Sequence, residues 1–443
     1  MFIGKKIFLV VVLITFLITP LLAQPELPQL SPGATAYQKV GTTDVTIKYF
    51  RPAVKGREVW GELVPFGKVW RTGANNATTI EFSTDVKLEG KDVKAGKYGL
   101  FTIPDENEWT LILNSNPDQW GAYNYEESKD VLRVTLKPEK NHFHERMLFQ
   151  FEFVTPNTSL VKLAWGDVKV PFKIEAHLTD PESKDARPSP LSKVHQRIGL
   201  SDVTFTFGAP GVKGRTILGE LVPFDKVWRS GANEATTIEL SSDAKINGND
   251  VPAGTYSFFT IPAKSGEWTI ILNKVSEQWG AFRYDESKDL LRFKVESKES
   301  DHPHERLKYG FSDLNGKSAN AFLAWDKFMV PFTIEVETNA QALKNIEAAI
   351  SEKPDDWVRY ARSASYAVEN SVYLDKALEW INKSLELNQH YWNNLLKANI
   401  LFKMDDKTGA KEFLDKSREI AMKDENTYKN AKASLDELEE KLK

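Results

Sequence analysis

Residues 62–81 read Glu62-Leu-Val-Pro-Phe-Gly-Lys-Val-Trp70-Arg71-Thr-Gly73-Ala-Asn75-Asn-Ala-Thr-Thr-Ile-Glu81. They return as Glu220-Leu-Val-Pro-Phe-Asp-Lys-Val-Trp228-Arg229-Ser-Gly231-Ala-Asn233-Glu-Ala-Thr-Thr-Ile-Glu239, with 17 of 20 positions identical at an offset of 158. The chain is two copies of one module with a different segment added after them. Residues 55–104 and 213–262 agree at 34 of 50 positions, and the agreement includes polar loop residues, not only the apolar ones a fold needs. It is weaker between residues 147–160 and 307–320, so the strong match is local.

Working outward, period two dominates both copies. Val45, Ile47 and Tyr49 alternate with Thr46 and Lys48, as Val203, Phe205 and Phe207 do with Thr204 and Thr206. Leu132, Val134 and Leu136 form a second such run, and Met147, Phe149, Phe151 and Phe153 a third. This is the pattern of half-buried strands. Trp109-Thr-Leu-Ile-Leu113 is apolar nearly throughout and reads as a central strand. Turn signals such as Leu88-Glu-Gly-Lys-Asp92 separate the runs. Eight or nine short strands per copy predict an antiparallel β-sandwich or jelly roll. Module 1 is placed at 35–176 and module 2 at 191–337, with a polar, Pro-rich linker at 177–190 and a Pro-rich lead-in at 24–34.

After residue 338 the spacing changes to three and four, as in Leu374, Leu378, Ile381 and Leu385. About six amphipathic helices are predicted over 338–443. Trp357 and Trp392 lie 35 apart and Ala377 and Ala410 lie 33 apart, a period that resembles tetratricopeptide repeats; a plain helical bundle is the alternative. Such a segment predicts a protein partner.

Composition narrows the function classes. There is no cysteine, which excludes disulfides, thiolate catalysis and Cys-ligated zinc. The net charge of −4, with both signs interspersed, gives no footprint for nucleic acid. Lys5 and Lys6 precede an apolar run from Ile7 to Ile18 and a small residue, Ala23, which predicts a signal peptide over residues 1–23 and an exported product, periplasmic or secreted. Nothing later in the sequence is apolar enough to span a membrane.

Several motifs mark candidate sites. Gly73-Ala-Asn75 is a tight turn, because Gly and Asn accept positive φ. An Arg beside a Trp can stack on it and still present a fork to an anion. Arg57, Trp70, Arg71 and Asn75, and their equivalents Arg215, Trp228, Arg229 and Asn233, are therefore candidate contacts to an anion or sugar; locking of the arginines onto a carboxylate within the module is the favoured structural reading. Trp120-Gly-Ala-Tyr123 and Trp279-Gly-Ala-Phe282 place paired aromatics in a loop, either as a buried anchor, the favoured reading, or exposed as a platform for a sugar ring.

Four of the seven histidines lie in His142-Phe-His144-Glu145-Arg146 and His302-Pro-His304-Glu305-Arg306. Residues i and i+2 of a strand face the same way, so each pair can chelate a divalent transition metal. Carrying the alternation from Met147 and Phe149 instead puts His142 and His144 toward solvent, the favoured reading, and Glu145 and Glu305 inward. Buried carboxylates need partners, which predicts pairing of Glu145 with Arg71 or Arg57 and of Glu305 with Arg229 or Arg215. There is no P-loop, dinucleotide fingerprint or nucleophile elbow.

The Ser-Pro at each start, Lys55-Gly-Arg57, the Trp-Arg-x-Gly-Ala-Asn motif, Ala95-Gly-Lys-Tyr98 and Leu163-Ala-Trp165 with Val170-Pro-Phe172 resemble the bacterial domain-of-unknown-function family numbered 2911. The resemblance covers both copies. It implies export, a β-rich fold and, in members frequent in Bacteroidota, C-terminal helical repeats; it implies no activity and no cofactor. Copy two departs from it, with Ala209 in place of Arg51 and Leu218 in place of Trp60. The expected function is a non-catalytic exported protein that binds a carbohydrate or envelope component or serves as a scaffold. The alternative is a metal-assisted or acid/base hydrolase using His142, His144, Arg71 and Glu145.

Overall fold

A computed structural model describes residues 24–152, 154–176 and 187–443. The expected signal peptide, most of the expected linker and Phe153 lie outside the described residues. Among them, no helix is long and apolar enough to cross a membrane.

The first copy contributes ten strands: β1 (Gly33–Val40), β2 (Thr43–Phe50), β3 (Thr78–Phe82), β4 (Val86–Leu88), β5 (Lys91–Val93), β6 (Gly96–Ile103), β7 (Trp109–Asn114), β8 (Asp130–Leu136), β9 (Glu139–Glu152) and β10 (Thr158–Ala176). The second repeats them as β11 (Leu191–Ile198), β12 (Ser201–Gly208), β13 (Ala232–Leu240), β14 (Ala244–Ile246), β15 (Asn249–Val251), β16 (Gly254–Ile261), β17 (Glu267–Asn273), β18 (Asp289–Glu296), β19 (Lys298–Ser312) and β20 (Ser318–Val336). All pairings are antiparallel. In each copy a sheet β5-β4-β10-β9, or β15-β14-β20-β19, covers one face of a larger sheet. The alternation read from the sequence fills the space between them: Val45, Ile47, Ile80 and Leu111 from one layer meet Met147, Phe149, Val161 and Phe172 from the other.

The larger sheet is shared. Its order is β18-β17-β16-β13-β12-β11-β1-β2-β3-β6-β7-β8, so the two copies form one continuous twelve-stranded sheet, within a single compact unit spanning 28–338. The join is β1 against β11, with Ala36 opposite Val194 and Ala34 opposite Gln196. Ala36 and Val194 occupy equivalent positions in the two copies, so an approximate twofold axis passes between them. β1 begins at Gly33, inside the stretch read as a lead-in.

Contacts across the join are reciprocal, as twofold symmetry requires. Arg146 Nε donates to the carbonyl of Leu314 at 3.0 Å, and Arg306 Nη2 donates to the carbonyl of Val154. Ser192 Oγ donates to Gln38 Oε1 at 2.8 Å. Gln196 Nε2 donates to the carbonyl of Gly33, while Arg51 Nη1 donates to Gln196 Oε1 at 2.5 Å. Arg51, Gln38, Ser192 and Gln196 are all buried.

The segment from Asn339 to Lys443 forms a separate unit. It carries α1 (Thr338–Glu352), α2 (Trp357–Asn370), α3 (Leu374–Leu387), α4 (Tyr391–Lys403), α5 (Lys407–Ala421) and α6 (Glu425–Leu442). Asp356, Asp406 and Asp424 cap α2, α5 and α6 through their side chains, and His390 with Asn393 forms a capping box on α4. α2 packs chiefly on α3, and α4 on α5.

Arg51 is a buried cation whose side-chain partner in the second copy, among the described residues, is Gln196. Gln196→Leu is therefore expected to destabilise the β unit by about 2 kcal/mol, because a charged donor is left unpaired. Ser192→Ala, which removes a neutral bond, costs about 1 kcal/mol. Urea unfolding of both variants checks the order; equal effects would remove Arg51 from the account of the join.

Candidate functional site

The repeated motif does three different jobs. Trp70 is buried and stacks on Trp165 with centroids 5.9 Å apart, as Trp228 stacks on Trp325 at 6.0 Å. Trp70 Nε1 also donates to the carbonyl of Gly73 at 3.1 Å. Trp70 is a core residue, which corrects its assignment as a ligand contact, and Trp228 is partly buried against the core of its copy. Arg57 clamps its own turn, donating to the carbonyls of Ala53 and Val54 at 2.6 and 3.0 Å; Arg215 does the same to Gly211 and Val212 at 2.6 and 3.1 Å. Asn75, at φ 54°, donates to the carbonyl of Ser31 at 3.1 Å, and Asn233, at φ 65°, to that of Ser189 at 2.9 Å. The bend expected at Gly-Ala-Asn is present in copy one, while in copy two Ala232 and Asn233 already open β13; in both, the Asn side chain holds the strand-entry segment.

Arg71 and Arg229 remain. The expected carboxylate partners are elsewhere. Glu145 and Glu305 are exposed, and each accepts at 3.0 Å from a backbone N–H, that of Lys55 or Lys213. The parity argument fails there because β9 and β19 run past the edge of the sandwich, where the inward face meets the 53–57 and 211–215 turns and not the core. Among the described residues Arg71 and Arg229 form no ion pair, and the Nε of each is buried without a partner.

Both guanidinium groups lie beneath the aromatic loops. A Cβ at Gly121 would come 3.7 Å from Arg71 Nη1, and one at Gly280 would come 2.8 Å from Arg229 Nη1. These glycines have φ of 67° and 66°, so the backbone itself sits over the arginine. The loops are anchored by Ala122 and Tyr125 against Phe101 and Ile112, and by Ala281 and Tyr284 against Phe259 and Ile271. Tyr125 is fixed by donating to Asp130 at 2.7 Å and accepting from Arg133 at 2.7 Å. The loop aromatics expected as anchors are not: Trp120 is 58% exposed, Tyr123 83%, Trp279 55% and Phe282 82%. Each copy therefore presents two exposed rings beside an uncompensated guanidinium, and burial lowers the pKa of both arginines from the usual value.

The histidines lie elsewhere and together. His142 and His144 have ring centroids 4.4 Å apart, His302 and His304 4.5 Å, and His142 meets His302 across the twofold axis at 5.1 Å. They do point away from the Met147 face, as expected: His142 is exposed there, while His144, His302 and His304 are partly covered. His144 and His304 are only partly exposed, and burial together with neighbouring positive charge lowers each to about 3. Among the described residues no group of three or more His, Asp or Glu has the geometry to hold a metal ion. Lys162 and Lys308 depress all four imidazoles, and their positive charge opposes a cation. Arg71 does not line this cavity and Glu145 is turned to the 53–55 loop, so the structure does not assemble the four hydrolase residues. The sequence reading marked Arg51 only through its replacement by Ala209 in copy two, and missed Lys162 and Lys308; all three line the cavity at the axis.

A two-layered antiparallel unit duplicated about an internal axis, with a site repeated in each copy, is the class the geometry defines. The chain belongs to the family described as protein of unknown function (DUF2911), whose model matches residues 31–174 and again 189–334. No curated protein matches it.

The neutral histidines give a pH signature. Unfolded histidine titrates near 6.5, so below that pH the unfolded chain binds protons that native His144 and His304 do not, and stability falls as pH falls. The thermal midpoint is expected to drop between pH 6.5 and 5, above the range of ordinary carboxylates, and to drop less in the His144→Gln/His304→Gln double variant. An identical pH profile for the two proteins would refute this.

Proposed function

We propose that the protein is an exported, non-catalytic binding protein whose β unit holds an acidic saccharide of the cell envelope on its two aromatic loops, while residues 338–443 dock a protein partner. The observation that carries this is the repetition: in both copies, Arg71 or Arg229 lacks a carboxylate and sits beside a pair of exposed rings. Aromatic faces stack on the apolar face of a sugar ring, and a guanidinium fork fits a carboxylate. Two such platforms on one rigid unit suit a repeating polymer, since the second contact is made at high effective concentration. Export is supported by the charged-then-apolar run of residues 1–23.

A tetratricopeptide-like reading of the helices is supported by one hydrogen bond that repeats. Ser384 Oγ donates to the carbonyl of Trp357 at 2.9 Å, and Ser417 Oγ donates to that of Tyr391 at 2.7 Å, one helix pair later. The pairing of α2 with α3 and α4 with α5 has the same period.

Retention on immobilised polygalacturonate, against neutral dextran, tests the saccharide reading. Trp120→Ala/Arg71→Ala is expected to weaken binding at least about tenfold through lost bivalency, and adding Trp279→Ala/Arg229→Ala abolishes it. Equal retention on dextran, or full retention by the quadruple variant, would sink the proposal.

A further inference from the structure

A half-open cavity of about 450 Å³ lies at the twofold axis, lined by both copies. Its walls are largely apolar, with Phe149, Phe207 and Tyr309 among them. Two of its lysines, one from each copy, stand at positions that are not equivalent: Lys162 stands where the second copy has Phe322, and Lys308 where the first has Leu148. Lys162 is neutralised by Glu152 at 2.6 Å. Lys308 has no ion-pair partner among the described residues.

A second group there is also unsatisfied. Asn141 Nδ2, on the cavity wall, is buried with no acceptor. Buried donors without partners are costly, so an ammonium and an amide opening into one cavity define a place for an acceptor. The other charged and titratable groups around it are Arg51, held by Gln196 and the Met147 carbonyl, the Lys162–Glu152 and Lys169–Glu139 pairs, Lys193 over the Tyr37 ring, Arg306 on the Ala209 carbonyl, Glu305 on the Lys213 N–H, Tyr37, Tyr49 and Tyr309, and the histidines. The net balance is positive, which favours an anion. The uncompensated Lys308 ammonium and the apolar walls favour a carboxylate carried on an apolar body.

We propose that this cavity binds a small organic monocarboxylate, its carboxylate held by Lys308 and Asn141 and its apolar body packed against the aromatic wall. Burial and the charge of Lys162 bring Lys308 down to about 7. It is therefore cationic below that pH and neutral above, and affinity for a carboxylate falls as pH rises through 7. This site is independent of the outer loops.

Titration calorimetry of the full-length mature protein with octanoate, and with octanol as the uncharged match, tests the proposal. Octanoate is expected to bind at pH 6.5 and octanol at least tenfold more weakly, with octanoate affinity falling roughly tenfold or more by pH 8.5 as the ammonium discharges. Lys308→Met, which replaces a buried charge by an apolar chain of similar shape, is expected to abolish the preference and the pH dependence. Asn141→Ala, which leaves Lys308 in place, is expected to weaken octanoate and keep the pH dependence. Equal affinity for both probes, no binding of octanoate by the folded protein, or an unchanged Lys308→Met would each overturn the proposal. So would binding of Zn²⁺ that His144→Gln removes, since a cation site would then occupy the axis.

Discussion

The pairing of β1 with β11 is the constraint on which the rest of the β unit depends. Alone, each copy would end at an open edge strand, a liability that proteins generally cover or pair. Here each edge covers the other. Because Ala36 faces its own equivalent, Val194, the pairing imposes a twofold relation on everything attached to it. The outer face of β9 is swung over by the second copy and the outer face of β19 by the first. The reciprocal bonds of Arg146 and Arg306, the meeting of His142 with His302 and the cavity itself all follow from that one register.

An axis of this kind treats sequence identity unevenly. A residue far from it appears twice without meeting its copy, and so Arg71 and Arg229, Gly121 and Gly280, and Asn75 and Asn233 persist. A residue on the axis meets its own equivalent. A second arginine at 209 would bring two like charges together in a buried site, where Coulomb repulsion is weakly screened; Ala209 stands there instead, and is buried. The replacement of Arg51 by Ala209 is thus an asymmetry that a fused pair permits. The same freedom places Lys162 and Lys308 at positions that are not equivalent.

Much of the fold was legible because it rests on local physics. Alternating apolar residues marked the strands whose inward face meets the hydrophobic core, and the spacing after residue 338 marked helices that bury one stripe. β1 was not legible. Its inward residues are Ala34, Ala36, Gln38 and Val40, because at the axis it meets the polar side chains of Ser192, Gln196 and Arg51. A strand that buries a polar network carries no apolar alternation to read. The histidines are a mixed case: parity gave their direction correctly and His142 is exposed, but His144 and His304 are partly covered at the join, and one-dimensional periodicity does not contain a twofold axis. Glu145 fails more locally, since alternation says which way a side chain points and not whether the core extends that far.

The exposed aromatics have a different logic. Leaving Trp120, Tyr123, Trp279 and Phe282 in water forgoes the burial that large apolar side chains normally gain. The loop has a simple way to recover it, because Ala122 and Tyr125 of the same segment are already packed on the sheet. Instead Gly121, held at positive φ, carries the chain over Arg71 and turns the flanking rings outward, and Gly280 does the same over Arg229. The base of each loop is fixed by an identical Tyr-Asp-Arg arrangement, Tyr284 with Asp289 and Arg292 repeating Tyr125 with Asp130 and Arg133. A mobile loop would let the rings collapse onto the surface; a rigid one keeps them presented. The same cost is borne twice in one chain, at a half-buried guanidinium that no carboxylate among the described residues satisfies, and a ligand bearing both a ring face and an anion would offset both terms.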